Sequence, residues 1–318
     1  SEAALRNLVV SEYLGVSPES MRGYLGLSLN LAVKGMRRLS RWALNRVQKF
    51  AHRLGTPNAN ARRDLLQALR AAFLGDVLEA TSWLEVLRPQ QRHLDPWLLH
   101  AAHVVEMVHE LYRGNIVQCR ELVGENRRLL ERRGLSPDTN PEYFNALDLF
   151  EMQAAYVMGD LGEYLQLLEK VRALYERLTE EDGYLKSRVE CAMAFCAAEG
   201  AEIEDIDVFI DEYLKRCQDP GSVPYFLRGF YISYAQIKSL RLDILSEANA
   251  DLTTAFGELD DALAMLKAAS VGPIFESYYS LILSHRLRLG NNLDRSRQEL
   301  RRAEDLVDDV FIPTVSVG

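Results

Sequence analysis

One short pattern punctuates this chain at regular intervals: a glycine set between a long side chain and an aspartate or asparagine. Leu74-Gly75-Asp76, Arg113-Gly114-Asn115, Met158-Gly159-Asp160 and Leu289-Gly290-Asn291 carry it, and Glu199-Gly200-Ala201 carries a weaker form. The glycines are spaced by 39, 45, 41 and 90 residues, so the last interval spans two periods and hides a turn near Leu245 to Asn249. Glycine accepts the left-handed conformation that ends a helix, and the Asp or Asn behind it is suited to cap the next one. Between the breaks, apolar residues recur at helical spacing. Trp97, Ala101, Val104, Val105, Val108 and Leu111 form one stripe; Leu165, Leu168, Val171 and Leu174, with Tyr175, form another. Such stripes need neighbours to cover them, and strand signals are nearly absent. The pattern predicts an all-α chain, an α-solenoid of at least five antiparallel helix pairs over residues 58–308, with one pair per period. A bundle with glycine-capped turns is the alternative. Residues 1–57 form a separate N-terminal segment in this reading, and residues 309–318 an apolar, β-branched tail that docks elsewhere or leads into a further domain.

The residues behind the turns add detail. Five and nine positions after the glycine stand Ala80 and Leu84, Cys119 and Val123, and Tyr164 and Leu168; the last turn fits with one extra residue, giving Ser296 and Leu300. This resembles the turn between the two helices of a tetratricopeptide repeat, where a small and then a large apolar residue follow Leu-Gly-Asp. Tyr164 departs from the small-residue rule, the period exceeds the family's usual ~34 residues, and the closing proline is missing from most units. The chain is more similar to the long-helix repeats in sensor modules of bacterial signalling regulators. That resemblance implies a superhelix whose inner groove takes a protein or peptide segment, without catalysis or cofactor. The groove-facing residues would come from the first helix of each pair, with Asn145, Gln153, Arg188, Tyr231 and Tyr234 as candidates.

The N-terminal segment reads differently. Tyr24-Leu25-Gly26-Leu27-Ser28 is followed by Val33-Lys34-Gly35-Met36-Arg37-Arg38-Leu39. Residues 5–44 are similar to the helix-turn-helix of sigma-factor region 4, in which a Leu-Gly-Leu-Ser turn precedes a basic recognition helix. That resemblance implies a transcription regulator that contacts DNA through these residues. The run Leu29 to Val33 holds one residue more than the family spacing, which turns the recognition face by about 100°. A capped helical hairpin that opens the solenoid is the competing reading.

Charge sharpens the question. The net charge is −9, yet Lys34 to Arg70 holds ten Lys or Arg against Asp64 alone, leaving 27 basic and 45 acidic residues elsewhere. Arg37, Arg38, Arg41, Lys49 and Arg53, interleaved with Trp42, Val47 and Phe50, are therefore candidates for contact with an acidic protein or nucleic acid. The commonest fate of such a helix is to bury its apolar stripe and leave its charges in water.

Signatures of chemistry are scarce. There is no phosphate-binding loop, dinucleotide fingerprint, nucleophile elbow or zinc-protease motif. His100, His103, Glu106 and His109 share one helix but lie largely off its apolar stripe, and read as a solvated face rather than a metal centre. Arg88 and His93 match a spacing found in helical RNA nucleases, although Pro89 stands where that family has a polar residue. Glu180, Glu181 and Asp182 read as solvated caps. Cys119, Cys191, Cys196 and Cys217 contain no CxxC pair and read as small buried residues of a reducing compartment. No apolar run is long enough to span a membrane, and the chain does not open like a signal peptide. The expectation is a cytoplasmic binding protein, either monomeric or a homo-oligomer.

Overall fold

In a computed structural model of the chain, residues 15–308 are described throughout, together with the helical positions Arg6, Val9 and Tyr13. The expected tail at 309–318 lies outside the described residues. Fourteen α-helices and no strand occur among the described residues, and the helices pack in consecutive antiparallel pairs. The pairs are α1 (Pro18–Val33) with α2 (Arg37–Leu54), α3 (Pro57–Phe73) with α4 (Val77–Leu87), and α5 (Pro96–Tyr112) with α6 (Ile116–Arg132). They continue as α7 (Pro141–Val157) with α8 (Leu161–Arg177), and α9 (Gly183–Ala198) with α10 (Ile206–Arg216). The last two are α11 (Tyr225–Glu247) with α12 (Thr253–Ala269), and α13 (Gly272–Leu289) with α14 (Leu293–Asp308). The all-α, solenoid-like class expected from the turn pattern is therefore the class observed.

All seven pairs close through the same turn. A residue near the end of each first helix takes positive φ: Gly35, Gly75, Gly114, Gly159, Gly200, Asn249 and Asn291 in chain order, with Asp205 a second such residue in the longer α9–α10 loop. The N–H of that helix-end residue and that of the residue behind it satisfy the last carbonyls of the first helix, as in Met36 to Leu31, Asp76 to Ala71 and Ala250 to Leu245. The concealed turn is thus at Asn249. At the last turn Asn291, not Gly290, is left-handed, with φ of 58° against −84°. Counted from Asn291, Ser296 and Leu300 fall five and nine residues on, and the apparent extra residue disappears. Asp76 and Asp160 cap α4 and α8 by accepting from Glu79 and Glu163 N–H. Asn115 makes no such cap and donates to Glu110 instead.

The N-terminal expectation needs correction. Leu25-Gly26-Leu27-Ser28 is not a turn; it lies inside α1, which runs unbroken to Val33. The bend comes at Lys34-Gly35-Met36, where Gly35 has φ of 67°. Ser28 caps nothing: it is fully buried, and its hydroxyl donates to Ser40 carbonyl while Ser40 returns the bond to Ser28. Ser284 and Ser296 make the same reciprocal pair across the last hairpin. Gly35 precedes Gly75 by one period of 40 residues, and Ser40 and Leu44 stand five and nine residues behind it, both buried. The α1–α2 hairpin is therefore built like the hairpins that follow.

The chain divides into two compact units, one reaching to Glu106 and the other beginning at Met107. The boundary expected between 57 and 58 falls inside the first unit, where α1 and α2 both pack on α3. Met21, Tyr24, Leu25, Ala43, Leu44, Val47, Ala51, Ala59 and Leu66 form a continuous core there. In the second unit the first helices of successive pairs stack in order, α7 on α9, α9 on α11 and α11 on α13; α8, α10, α12 and α14 pack on their own partners, and α6 and α12 also pack on the first helix that follows them.

Candidate functional site

Two regions hold the sequence candidates. In the first unit, Ser40, Ala43, Leu44, Val47 and Ala51 turn one face of α2 into the core. The rest of the helix is open: Arg37, Arg38, Arg41, Arg46, Lys49 and Arg53 are all exposed, and none forms an ion pair among the described residues. No acidic residue occurs in the helix. Trp42 is 44% exposed beside them, with the Arg46 guanidinium 5.9 Å from its ring centre, and Leu39 and Met36 are exposed on the same side of the chain's bend. The basic residues of α3 differ. Arg62 pairs with Asp95 at 2.8 Å, Arg63 with buried Asp64 at 2.7 Å, and buried Arg70 donates to Ser40 Oγ. Burial, and then the neighbouring Arg41 and Arg37, lower the pKa of Arg70. Of the ten cations in the basic stretch, the fold therefore uses the three of α3 and leaves the six of α2 open.

The second region lies along the stacked first helices of the second unit. Val108, Leu111 and Tyr112 of α5, Leu149, Phe150 and Gln153 of α7, Arg188, Cys191 and Ala192 of α9, and Phe226 of α11 line a narrow cleft of about 20 Å³. Gln153 is 4% exposed and Arg188 9%. Neither side chain has a hydrogen bond or ion pair among the described residues, and the polar atoms of both stay accessible from the cleft; the Arg188 guanidinium rests 5.5 Å from the centre of the Phe150 ring. The nearest acid along α9, Glu190, is spent elsewhere. Its carboxylate accepts from Tyr175 Oη at 2.7 Å and pairs with Arg216 at 2.6 Å. Burial still raises the Glu190 pKa against those partners. Burial likewise pushes the Cys191 thiol in the cleft wall up to about 12, so it is a neutral lining group.

Of the five groove candidates, the structure brings Gln153 and Arg188 together in this cleft. Asn145 is half-buried two helical turns before Gln153, outside the lining. Tyr231 and Tyr234 belong to a different face of α11. Tyr231 is fully buried, donates to Cys217 carbonyl at 2.9 Å, and packs with Tyr213 and Phe230; Tyr234 stacks on Phe230. Both pack among aromatic residues of α10 and α11, outside the cleft lining. Phe150, Phe226 and Tyr112 were not legible as cleft residues, because aromatic residues on a helix read as core until neighbouring helices are placed. One signal existed in hindsight, Gly229 inside α11. A Cβ there would stand 1.7 Å from Tyr112 Oη, so the glycine is what lets Tyr112 reach its position.

The remaining polar candidates from the sequence lie outside both regions. His100, His103 and His109 are buried, which overturns their reading as a solvated face. The α5 helix is covered nearly all round from Leu98 to Tyr112, while Trp97, placed in its apolar stripe, is 57% exposed. Burial, with Arg113 nearby, pushes His109 down to about 3, and its ring packs edge-on against Tyr225. No group of three or more His, Cys, Asp or Glu able to hold a metal occurs among the described residues. Arg88 reaches Glu106 at 3.5 Å, and the His93 carbonyl accepts from Asn58. Asp182 caps its turn by accepting from Thr179 N–H and Oγ, as expected of that acidic cluster. Arg120 bridges Glu151, Asp160 and Glu163, and Arg127 and Lys170 hold Asp148, tying α7 to the helices on either side. The four cysteines are free thiols, and no described helix is long and apolar enough to cross a membrane.

No protein-family profile matches the chain, and neither the curated proteins nor the solved structures contain a significant match.

Proposed function

We propose that the chain is a non-catalytic scaffold or sensor module of tetratricopeptide-like repeats that binds a protein or peptide segment along the first helices of its second unit. The observation that carries this reading is the cleft formed by four successive first helices, whose polar lining, Arg188 and Gln153, is not used by the fold. Folding normally satisfies buried polar groups, and helical repeats line up equivalent side chains into extended surfaces. The four free thiols fit a cytoplasmic setting. Peptide-display selection on the whole chain tests the reading. A recurrent short motif that binds the purified chain with micromolar affinity supports it; selection that recovers no motif contradicts it.

A second reading, contact with nucleic acid or an acidic protein through α2, is favoured by its six unpaired cations and exposed Trp42. The continuous α1 removes the turn on which a recognition helix depended, so we favour an acidic protein partner here. Titration with duplex DNA across a salt series separates the alternatives. Weak binding that vanishes by physiological salt is expected of an acidic protein with one basic helix. A tight complex that survives that salt, and loses both affinity and salt slope when Arg37, Arg38 and Arg41 are changed together to Ala, would establish DNA binding.

A further inference from the structure

A buried guanidinium without an anion is costly. Desolvation penalises the charge, and folded chains ordinarily offset that penalty with a carboxylate or several carbonyls. The second unit shows the ordinary solution nearby. Arg228, 2% exposed, donates to the carbonyls of Val223, Gly221 and Ala269 at 2.7, 2.8 and 3.1 Å. Arg188, on the preceding first helix, has no such acceptors. It has an aromatic face beneath it and an open cleft before it, and the one acid close by along its helix is committed to Arg216.

From this we infer that the cleft between α5, α7, α9 and α11 is a receptor for a carboxylate carried on an apolar body, with Arg188 as the anion partner and Gln153 as the orienting amide. The inference deepens the binding role proposed for the first-helix row and rests on it for the location of the ligand. The chemistry of the lining selects the ligand class. Arg188 supplies a planar fork of N–H donors that matches a planar carboxylate. The Gln153 amide adds a donor, and its own oxygen can accept from a neighbouring amide N–H of the ligand. Phe150, Phe226, Tyr112 and Leu149 present the apolar wall against which the body of the ligand lies. Two sources can supply that carboxylate, a free aromatic or aliphatic acid and an acidic residue flanked by an apolar one in a peptide.

The test uses the full chain labelled with ¹⁵N-arginine and follows the Arg188 Nε–Hε resonance. The probes are 3-phenylpropionate and its neutral counterpart 3-phenylpropionamide; acetyl-glutamyl-phenylalaninamide and acetyl-glutaminyl-phenylalaninamide form the peptide arm. A saturable shift at millimolar concentration is expected with a carboxylate, at least about tenfold weaker with the matching amide. Arg188→Gln should abolish carboxylate-dependent binding, read by ligand-observed saturation transfer, while leaving the helical spectrum unchanged. Gln153→Leu should weaken binding severalfold with the charge intact. Should Arg188→Gln fail to fold, Arg188→Lys replaces it, with reduced affinity expected because a point charge cannot bond in a fork. A response to the free acid alone assigns a small-molecule ligand, and a response to the glutamyl peptide assigns a peptide one. Equal responses to acid and amide, carboxylate binding that survives Arg188→Gln, or no saturable response to any probe overturns the inference. If displayed peptides bind but prove neutral and indifferent to Arg188, the carboxylate inference fails while the peptide-binding role stands. If the free acid binds and no peptide is ever selected, the reverse holds.

Discussion

The α2 face of the first unit and the cleft of the second both display cations that the fold leaves unpaired, but they do so at different cost. On α2 the guanidiniums stand in water, where an unpaired charge is solvated and carries almost no penalty. In the cleft, Arg188 is nine-tenths buried and still has no acceptor among the described residues. Charge density, the louder feature in the sequence, is thus weaker evidence of a site than a single arginine whose burial has not been offset. Within the basic stretch itself, α3 spends Arg62, Arg63 and Arg70 on Asp95, Asp64 and Ser40, so composition alone does not separate structural cations from available ones.

The sharpest way to break this comparison is to remove a cation that the fold does use. Arg228→Ala leaves three carbonyls without their shared donor, and should destabilise the chain by about 3 kcal/mol or more, against less than about 1 kcal/mol for Arg188→Gln. Chemical denaturation of the two variants checks this. Equal losses would mean that Arg188 is held by the fold after all. The next effect concerns the wall of the cleft. Gly229→Ala places a Cβ where Tyr112 Oη lies, so the ring must shift, at a cost of about 1–3 kcal/mol. The Arg188 resonance should shift with it; an unchanged melting temperature and spectrum would show that Tyr112 yields freely.

A titratable counterpart lies in α5. Folding holds His109 neutral down to about pH 3, whereas in the unfolded chain it protonates near its ordinary value of 6.5. The unfolded chain therefore binds more protons between those limits. The His109 contribution is intact above pH 6.5 and is lost as pH falls toward 3, by up to about 1.4 kcal/mol per pH unit. His109→Phe should flatten that slope, most visibly between pH 6.5 and 5, before the carboxylates titrate. An identical pH–stability profile would show the imidazole to be solvated. The smallest effect is expected on α2. Changing Arg38, Arg41 and Lys49 together to Ala should move stability by no more than about 0.5 kcal/mol, and a larger loss in thermal melting would place those residues among the structural cations.

The comparison also shows what a single sequence can reveal. The hairpins were legible because a helix terminus imposes a local backbone demand, and Gly75, Gly114 and Gly159 meet it in place. Gly35 was passed over because Met36, rather than an Asp or Asn, follows it, and because Leu25 to Ser28 imitates a turn that the apolar burial of Tyr24, Leu25 and Ser28 instead makes helical. At the last turn Gly290 drew attention, although its neighbour Asn291 bears the positive φ. Burial on all sides was not legible. His100, His103 and His109 of α5 are buried although their spacing reads as a polar face, and Tyr231 packs with the aromatic residues beside it. The place of Arg188 and Gln153 on first helices is legible in the sequence; the pairing of Glu190 with Arg216, rather than with Arg188 two residues before it, is not.

The most direct measurement is a peptide-display selection run in parallel on the unaltered chain, on Arg188→Gln, and on the variant with Arg38, Arg41 and Lys49 changed to Ala. Recovery of the same acidic motif from the first and third, and its loss from the second, is the result this account predicts. Recovery that persists in Arg188→Gln but is lost with the α2 substitutions would contradict it, and would move the binding surface to the first unit.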